Sequence, residues 1–199
     1  MRDVFIAELV NLNPSIFVSK WILERIPHVF GADQLRFNEW KRALADKIGV
    51  DPCAIALTGI ASVGISLNPN KHFREFDERS DIDVAVISSY HFEVAWRYLR
   101  NMKSGYYRLG QGARRSVDDH KTKYVYFGTI ATDQILEHLP FGKEWLVALS
   151  DMAKLNPTEG REIKARVYRD FESLRGYQVS NVRKLSNDVI STRAQRGQR

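Results

Sequence analysis

Two aspartates separated by one residue stand directly before an apolar run, in the order Asp81-Ile82-Asp83 and then Val84 to Ile87. In a β-strand the side chains at positions i and i+2 leave the same face, so the two aspartates are predicted to point in one direction. Adjacent carboxylates repel each other and resist removal from water. A divalent cation relieves that conflict, and oxygen ligands are those that Mg²⁺ prefers. The pair therefore predicts a metal site for Mg²⁺, or Mn²⁺, although a solvated strand start or a helix cap gives the same pattern.

A turn of small residues precedes this strand and follows another apolar run, AIAL at residues 54 to 57. The turn reads GIASVG from Gly59 to Gly64, and small residues let backbone amides come close to phosphate oxygens. We therefore expect nucleotide phosphate here, with the following candidates for contact: Gly59, Ser62, Gly64, Ser66 and Ser80. Ordinary turn glycines and a packing or surface role for Ser62 are the alternatives.

Residues 50 to 140 resemble the polymerase-beta-like nucleotidyltransferase superfamily. Its signature is a Gly-Ser turn after the first core strand, followed by Asp-x-Asp on the next strand. Gly59 matches the signature glycine, Gly64 matches a second glycine of the turn, and Ser80 to Val84 match the metal-binding strand. Ile60 stands where the signature has serine. The resemblance therefore implies that Ser62 or Ser66 contacts the phosphate in place of the signature serine.

The resemblance also implies a third carboxylate, from a strand paired beside the Asp-x-Asp strand. The run YVYFGTI from Tyr124 to Ile130 has the composition of a strand but carries no acid. Asp133 is the nearest candidate and would share a face with alternate residues of that strand if the strand continued. Asp133 at the N-cap of a helix is the competing interpretation.

The resemblance implies an enzyme that uses Mg²⁺ to transfer a nucleotidyl group from a nucleoside triphosphate, such as ATP, to a hydroxyl. RNA, a protein side chain or a small molecule would be the acceptor. A catalytically silent relative that binds nucleotide or nucleic acid is the alternative, favoured by Ile60 and by the unassigned third acid. A toxin or effector of bacterial antiviral defence, controlled by a partner, is a third expectation and comes from family analogy alone.

The composition of the chain favours some classes of protein and excludes others. The formal charge of +6 permits contact with nucleic acid or nucleotide, and basic residues outnumber acidic ones from residue 161 onward. A single cysteine, Cys53, excludes an internal disulfide framework. The five histidines are scattered without metal-ligand spacing, so a zinc site is not expected. No apolar run approaches the ~20 residues that cross a bilayer, and without a secretory signal pattern a cytoplasmic location is expected.

The pattern predicts an α/β (α+β) fold with a mixed sheet and three parts. Residues 1–50 form an N-terminal helical segment, with Asp33 capping a helix that Gly49 ends. Residues 51–140 form the core, in which Ser88 or Ser89 caps a helix. Residues 141–199 form a C-terminal helical extension, with apolar residues near helical spacing from Ile163 to Leu174.

One polar loop stands out between these elements. Residues 105 to 121 are rich in glycine and charge and longer than a minimal connection, as functional loops often are. Arg114 and Arg115 in its centre are candidates for contact with substrate phosphate, and a solvated loop is the equal alternative.

Overall fold

A computed structural model describes residues 2–133 and 135–197, and these residues form a four-stranded mixed sheet. Its strands are β1 (Ile55–Thr58), β2 (Ile82–Ile87), β3 (Thr129–Ala131) and β4 (Ile163–Tyr168), in the spatial order β1-β2-β4-β3. Strand β2 runs antiparallel to β1 and parallel to β4, and β3 runs antiparallel to β4. A mixed α/β architecture is therefore confirmed.

Eight α-helices surround the sheet in the described part of the chain: α1 (Arg2–Asn11), α2 (Pro14–Val18), α3 (Gln34–Ile48), α4 (Gly59–Val63), α5 (Ser89–Asn101), α6 (Gln111–Asp119), α7 (Gly142–Met152) and α8 (Phe171–Gly197). Wider π-helical turns continue α2 through Leu23 and α6 through Tyr124.

Two of the longer helices begin at a capping side chain that the sequence predicts. The Asp33 carboxylate accepts a hydrogen bond from the Arg36 amide at 2.9 Å and starts α3, which ends at the left-handed Gly49. The Ser88 hydroxyl accepts from the His91 amide at 3.2 Å and starts α5. Both predicted starts are confirmed, since a capping side chain satisfies amides that have no partner within the helix.

The two faces of the sheet differ in chemistry. One face carries only apolar side chains from all four strands and packs under helices α3, α5 and α7 in the main hydrophobic core. The other face carries Ala85 and Tyr168, which pack against Leu174 of α8. At one end of this second face the strands carry polar and charged residues instead, and that end forms the candidate site.

A second hydrophobic cluster fastens α8 to the N-terminal helices. Its buried members come from α1, α2, the turn after α2, the region following β1, and α8, as follows: Phe5, Leu9, Phe17, Val18, Trp21, Ile22, Val63, Ile65, Val182 and Leu185. Helix α8 is thus held both by the sheet and by the N-terminal helices. In this position its polar side chains face the charged end of the sheet.

Two predicted elements in the middle of the chain differ from the structure. The stretch from Tyr124 to Ile130 is mostly helical turn, and only Thr129–Ala131 forms strand. The expected loop of residues 105 to 121 contains the helix α6, on which Arg114 and Arg115 lie. The Arg114 guanidinium donates to the Tyr107 carbonyl and lies 5.9 Å from the Tyr106 ring centroid, so it is engaged within its own segment.

The largest correction concerns residues 141–199. Residues 163 to 168 form β4 in the interior of the sheet rather than a helix. The helix α8 begins only at Phe171 and runs through Gly176 without a break. A boundary at residue 140 therefore does not separate a core from a helical extension, because β4 hydrogen-bonds to β2 along its whole length.

Candidate functional site

The pairing of β1 with β2 places the acidic pair against the small-residue turn. Thr58, the last residue of β1, lies opposite Asp83. Gly59 follows with a φ of +62°, and a Cβ atom at this position would lie 2.4 Å from Asp83 Oδ2. Only glycine provides both this conformation and this space without strain. The Gly59 turn and the Asp83 carboxylate are thus in direct contact.

Asp81 and Asp83 line a single open cavity of about 640 Å³ between the sheet and α8. This volume lies within the range of small-molecule sites. From the first half of the chain the cavity is lined by Thr58, Gly59, Ile60, Ser66, Leu67, Asn68, Lys71, Asp81, Asp83 and Val84. From the second half it is lined by Asp133, Lys164, Ala165, Arg166, Tyr168, Tyr177, Gln178, Asn181, Lys184 and Asp188. The two acids therefore line one cavity, consistent with the prediction that they point in one direction.

The strand next to the acids brings two basic side chains into the cavity. In the parallel register, Asp83 pairs with Lys164 and Ala85 pairs with Arg166, so both basic residues project from the same face as Asp83. The Lys164 ammonium donates to Asp81 Oδ2 at 2.7 Å and lies 3.1 Å from Glu162 Oε2. Partial burial alone would lower the pKa of Lys164, but the contacts with these two carboxylates raise it.

Two tyrosine rings fix the position of Arg166. Its guanidinium carbon lies 4.9 Å from the ring centroid of Tyr177 and 5.4 Å from that of Tyr124. The same guanidinium donates to the Tyr177 hydroxyl. A planar cation held between aromatic faces keeps its orientation, and arginine matches phosphate and carboxylate oxygens in two-point contacts.

The Asp83 carboxyl has an unusual electrostatic environment. Burial raises its pKa above the ordinary aspartate value, and the nearby Asp81 and Asp133 raise it further. Arg166 and Lys164 act in the opposite direction and lower it. Perturbed acids in a cavity are typical of functional sites, because such sites use burial and neighbouring charge to set protonation.

Two carboxylates of the cavity offer oxygen ligands of the kind that a divalent cation takes. Asp83 lies on β2 and Asp81 directly precedes that strand, and the missing side chain of Gly59 makes room for the Asp83 carboxylate. Asp133 lines the same cavity, yet within residues 2–133 and 135–197 no group of three His, Cys, Asp or Glu side chains has the geometry of a metal site.

The structure divides the predicted nucleotide contacts into two groups. Gly59 and Ser66 line the cavity, together with Ile60 at the signature serine position. Ser62 is buried and donates to the Ile22 carbonyl at 2.9 Å, which is a packing role. Gly64 ends α4 and lies against the His28 ring.

Ser80, the remaining predicted contact, belongs to the loop before β2. Its buried hydroxyl accepts from the Asp77 amide at 3.0 Å and lies 3.1 Å from the Asp77 carboxylate. Arg161 donates to the carbonyls of Asp77 at 2.5 Å and of Ser80 at 3.1 Å. The same guanidinium lies 4.4 Å from the Phe76 ring centroid. These bonds hold the backbone immediately before Asp81.

Several cavity residues were not predicted from the sequence. Lys164 and Arg166 come from the strand that was expected to be helix, and Gln178, Asn181 and Lys184 come from α8. The alternation of apolar and basic residues in Ile163-Lys164-Ala165-Arg166-Val167 is a strand signal that would have located the first two. The α8 residues recur at helical spacing on a face that only the three-dimensional structure directs at the acids.

Comparison of the chain with protein-family models, with curated proteins and with solved structures found no match. The resemblance to nucleotidyltransferases therefore rests on the sequence pattern alone. In the part of the chain that the structure describes, no helix has both the length and the apolar character needed to cross a membrane.

Proposed function

We propose that this chain binds a nucleoside triphosphate with a divalent cation in the cavity and transfers the nucleotidyl group to a hydroxyl. One observation carries the proposal: Asp81 and Asp83 face a common cavity beside Gly59, where a side chain would collide with the Asp83 carboxylate. A close glycine turn and a paired-acid strand are the two parts that such a site needs for phosphate and for metal.

Each side chain has a distinct part in this proposal. Asp81 and Asp83 would hold the cation, which when bound orients the triphosphate and lowers the pKa of the acceptor hydroxyl. Lys164 and Arg166 offer positive charge to phosphate oxygens from the adjacent strand. Lys184 extends this positive wall from α8. Fixed cations of this kind stabilise the charge that develops on departing pyrophosphate.

A silent nucleotide-binding protein is the second candidate, and a specific contact favours it. Lys164 occupies Asp81 Oδ2 at 2.7 Å, and the strand beside β2 carries basic residues where the family resemblance implies an acid. A site that neutralises its own carboxylates can bind phosphate without catalysing transfer. The two candidates share the ligand and differ in whether pyrophosphate is released.

One experiment distinguishes the enzyme from the silent nucleotide-binding protein. The full chain is incubated with each of the four α-labelled nucleoside triphosphates, with Mg²⁺ or Mn²⁺, and with RNA or protein acceptors. Transfer of label with pyrophosphate release supports the enzyme, and Asp83→Asn should reduce it at least about 100-fold. Asp188→Asn is the matched control, because Asp188 lines the same cavity but comes from α8 rather than from the strand that carries Asp83. Nucleotide binding without transfer supports the silent protein. Transfer that begins only when a cell lysate is added indicates control by a partner.

A further inference from the structure

Lys164 stands where a second acidic strand would supply its carboxylate to a two-metal site. It lies on β4, directly opposite Asp83 in the parallel register, and its ammonium hydrogen-bonds Asp81 at 2.7 Å. Glu162, at 3.1 Å, holds the same ammonium from the solvent side. The side chain of Lys164 is about one-third exposed (32%), so it is anchored at the cavity floor yet open to a ligand.

The charges at this floor match one cation rather than two. Two-metal sites place their ions about 3.5–4 Å apart and share carboxylates between them. Here Asp83 of β2 and Asp81, which directly precedes β2, supply two carboxylates, and β4 supplies Lys164 and Arg166. A second divalent ion would meet these two fixed positive charges, and no group of three His, Cys, Asp or Glu side chains among the described residues has the geometry to hold it. The protein thus already contains the positive charge that a second ion would bring.

We propose that Lys164 takes the place of one divalent cation, so that the site binds a single Mg²⁺ or Mn²⁺ between Asp81 and Asp83. This inference rests on the proposed function, since it concerns the same cavity. It makes Lys164 a binding residue with two partners, the Asp81 carboxylate before ligand binding and an anionic phosphate oxygen once the cation has taken Asp81. The ammonium and the cation compete for Asp81, which lowers the affinity of the wild-type chain for the metal.

Titration of the full chain with Mn²⁺ alone, followed by electron paramagnetic resonance of the free ion, tests the proposal without nucleotide. The wild-type chain should bind one Mn²⁺. Lys164→Met should bind Mn²⁺ about fivefold more tightly, because the ion no longer competes with a partly exposed ion pair for Asp81. Lys164→Asp, which restores an acid on β4, should bind a second ion. Lys164→Arg keeps the charge and should stay close to wild type.

Lys184→Met is the matched control, because it removes the same charge from the α8 wall of the cavity. Its Mn²⁺ affinity should stay within about twofold of wild type, since charges beyond contact distance are screened by salt. Two bound ions in the wild type, an unchanged affinity in Lys164→Met, or equal gains in Lys164→Met and Lys184→Met would each overturn the role of Lys164.

The same titration keeps this inference separate from the transfer activity. If Mn²⁺ binds as expected while no label moves from any triphosphate, the role of Lys164 stands and the enzyme proposal falls. If Asp83→Asn binds Mn²⁺ as tightly as wild type, the ion lies elsewhere and both fall. If label moves but Lys164→Met leaves the metal affinity unchanged, the enzyme stands and the role of Lys164 falls.

Discussion

Gly59 and Asp83 are in contact across the β1–β2 pair, so closely that a Cβ at Gly59 would lie 2.4 Å from Asp83 Oδ2. The backbone register that pairs Asp83 with Thr58 places the acid beside Gly59. A side chain at position 59 would therefore displace the Asp83 carboxylate from its place in the cavity.

Gly59→Ala should lower the free energy of unfolding by about 3 kcal/mol, from the left-handed conformation and from the collision with Asp83. Gly49→Ala is the control, because Gly49 has a similar φ of +69° but nothing within 4 Å of the added Cβ. It should lose only about 1 kcal/mol. Urea unfolding of both variants measures the difference, and equal losses would show that the contact with Asp83 is unimportant.

Arg161→Met should lower the free energy of unfolding by about 1–3 kcal/mol, because it leaves the carbonyls of Asp77 and Ser80 without their charged donor. It should also weaken Mn²⁺ binding, since these bonds hold the backbone that leads into Asp81. Arg161→Lys should restore little of this, because an ammonium does not reproduce the planar guanidinium.

Arg79→Met provides the comparison for the same loop. Arg79 forms an ion pair with Asp77 at 3.1 Å, but its side chain is 83% exposed. Its loss should change stability by less than about 0.5 kcal/mol and leave Mn²⁺ affinity unchanged. A large effect of both variants would mean that the loop responds to charge in general rather than to the Arg161 bonds.

The sequence alone was enough to predict those structural features that depend on contacts between residues close together in the chain. The caps at Asp33 and Ser88 satisfy amides only three residues away, and both helices start as predicted. The Asp81-Ile82-Asp83 pattern and the Gly59 turn are likewise short-range, and the structure brings them together. These features depend on dihedral preferences and periodicity that neighbouring residues set by themselves.

The position of β4 could not be predicted, because it depends on pairing over a long sequence separation. Ile163, Val167 and Leu174 mimic helical spacing, and nothing near them in sequence indicates that β2 is their neighbour. In the structure Ile163 and Val167 enter the core from a strand, whereas Leu174 packs from α8. Missing this strand meant missing Lys164 and Arg166, and with them the positive half of the site.

Stability should fall as the pH is lowered from 8 to 6, because burial lowers the pKa of three histidines: His28, His91 and His120. An unfolded chain binds protons near pH 6.5, while these side chains resist protonation in the folded state. The unfolded state then holds more protons, so stability is full above that pH and is lost as the pH falls through it. The raised pKa of Asp83 acts with the opposite sign at lower pH.

His120 gives this prediction its structural test. The Ala131 amide donates to His120 Nε2 at 2.9 Å, so the ring proton lies on Nδ1, which donates to the Ser116 carbonyl. Protonation of Nε2 would break the bond to Ala131 in β3. Urea unfolding at several pH values should give a shallower dependence for His120→Gln than for wild type. Equal slopes for the two proteins would contradict the assignment.

A buried hydrogen bond fixes the segment that delivers β4 to the sheet. Trp40 Nε1 of α3 donates to the hydroxyl of Thr158 at 3.0 Å, and that hydroxyl lies 2.9 Å from the carbonyls of Met152 and Leu155. Thr158→Val should lower the free energy of unfolding by about 1–3 kcal/mol, because it leaves the buried indole N–H of Trp40 without a hydrogen-bond acceptor. Trp40→Phe alone also loses packing, but the double variant should be more stable than the two separate losses predict, by about 1 kcal/mol. Strictly additive losses in urea unfolding would show that the bond contributes nothing to holding β4, and with it Lys164, against the acidic strand.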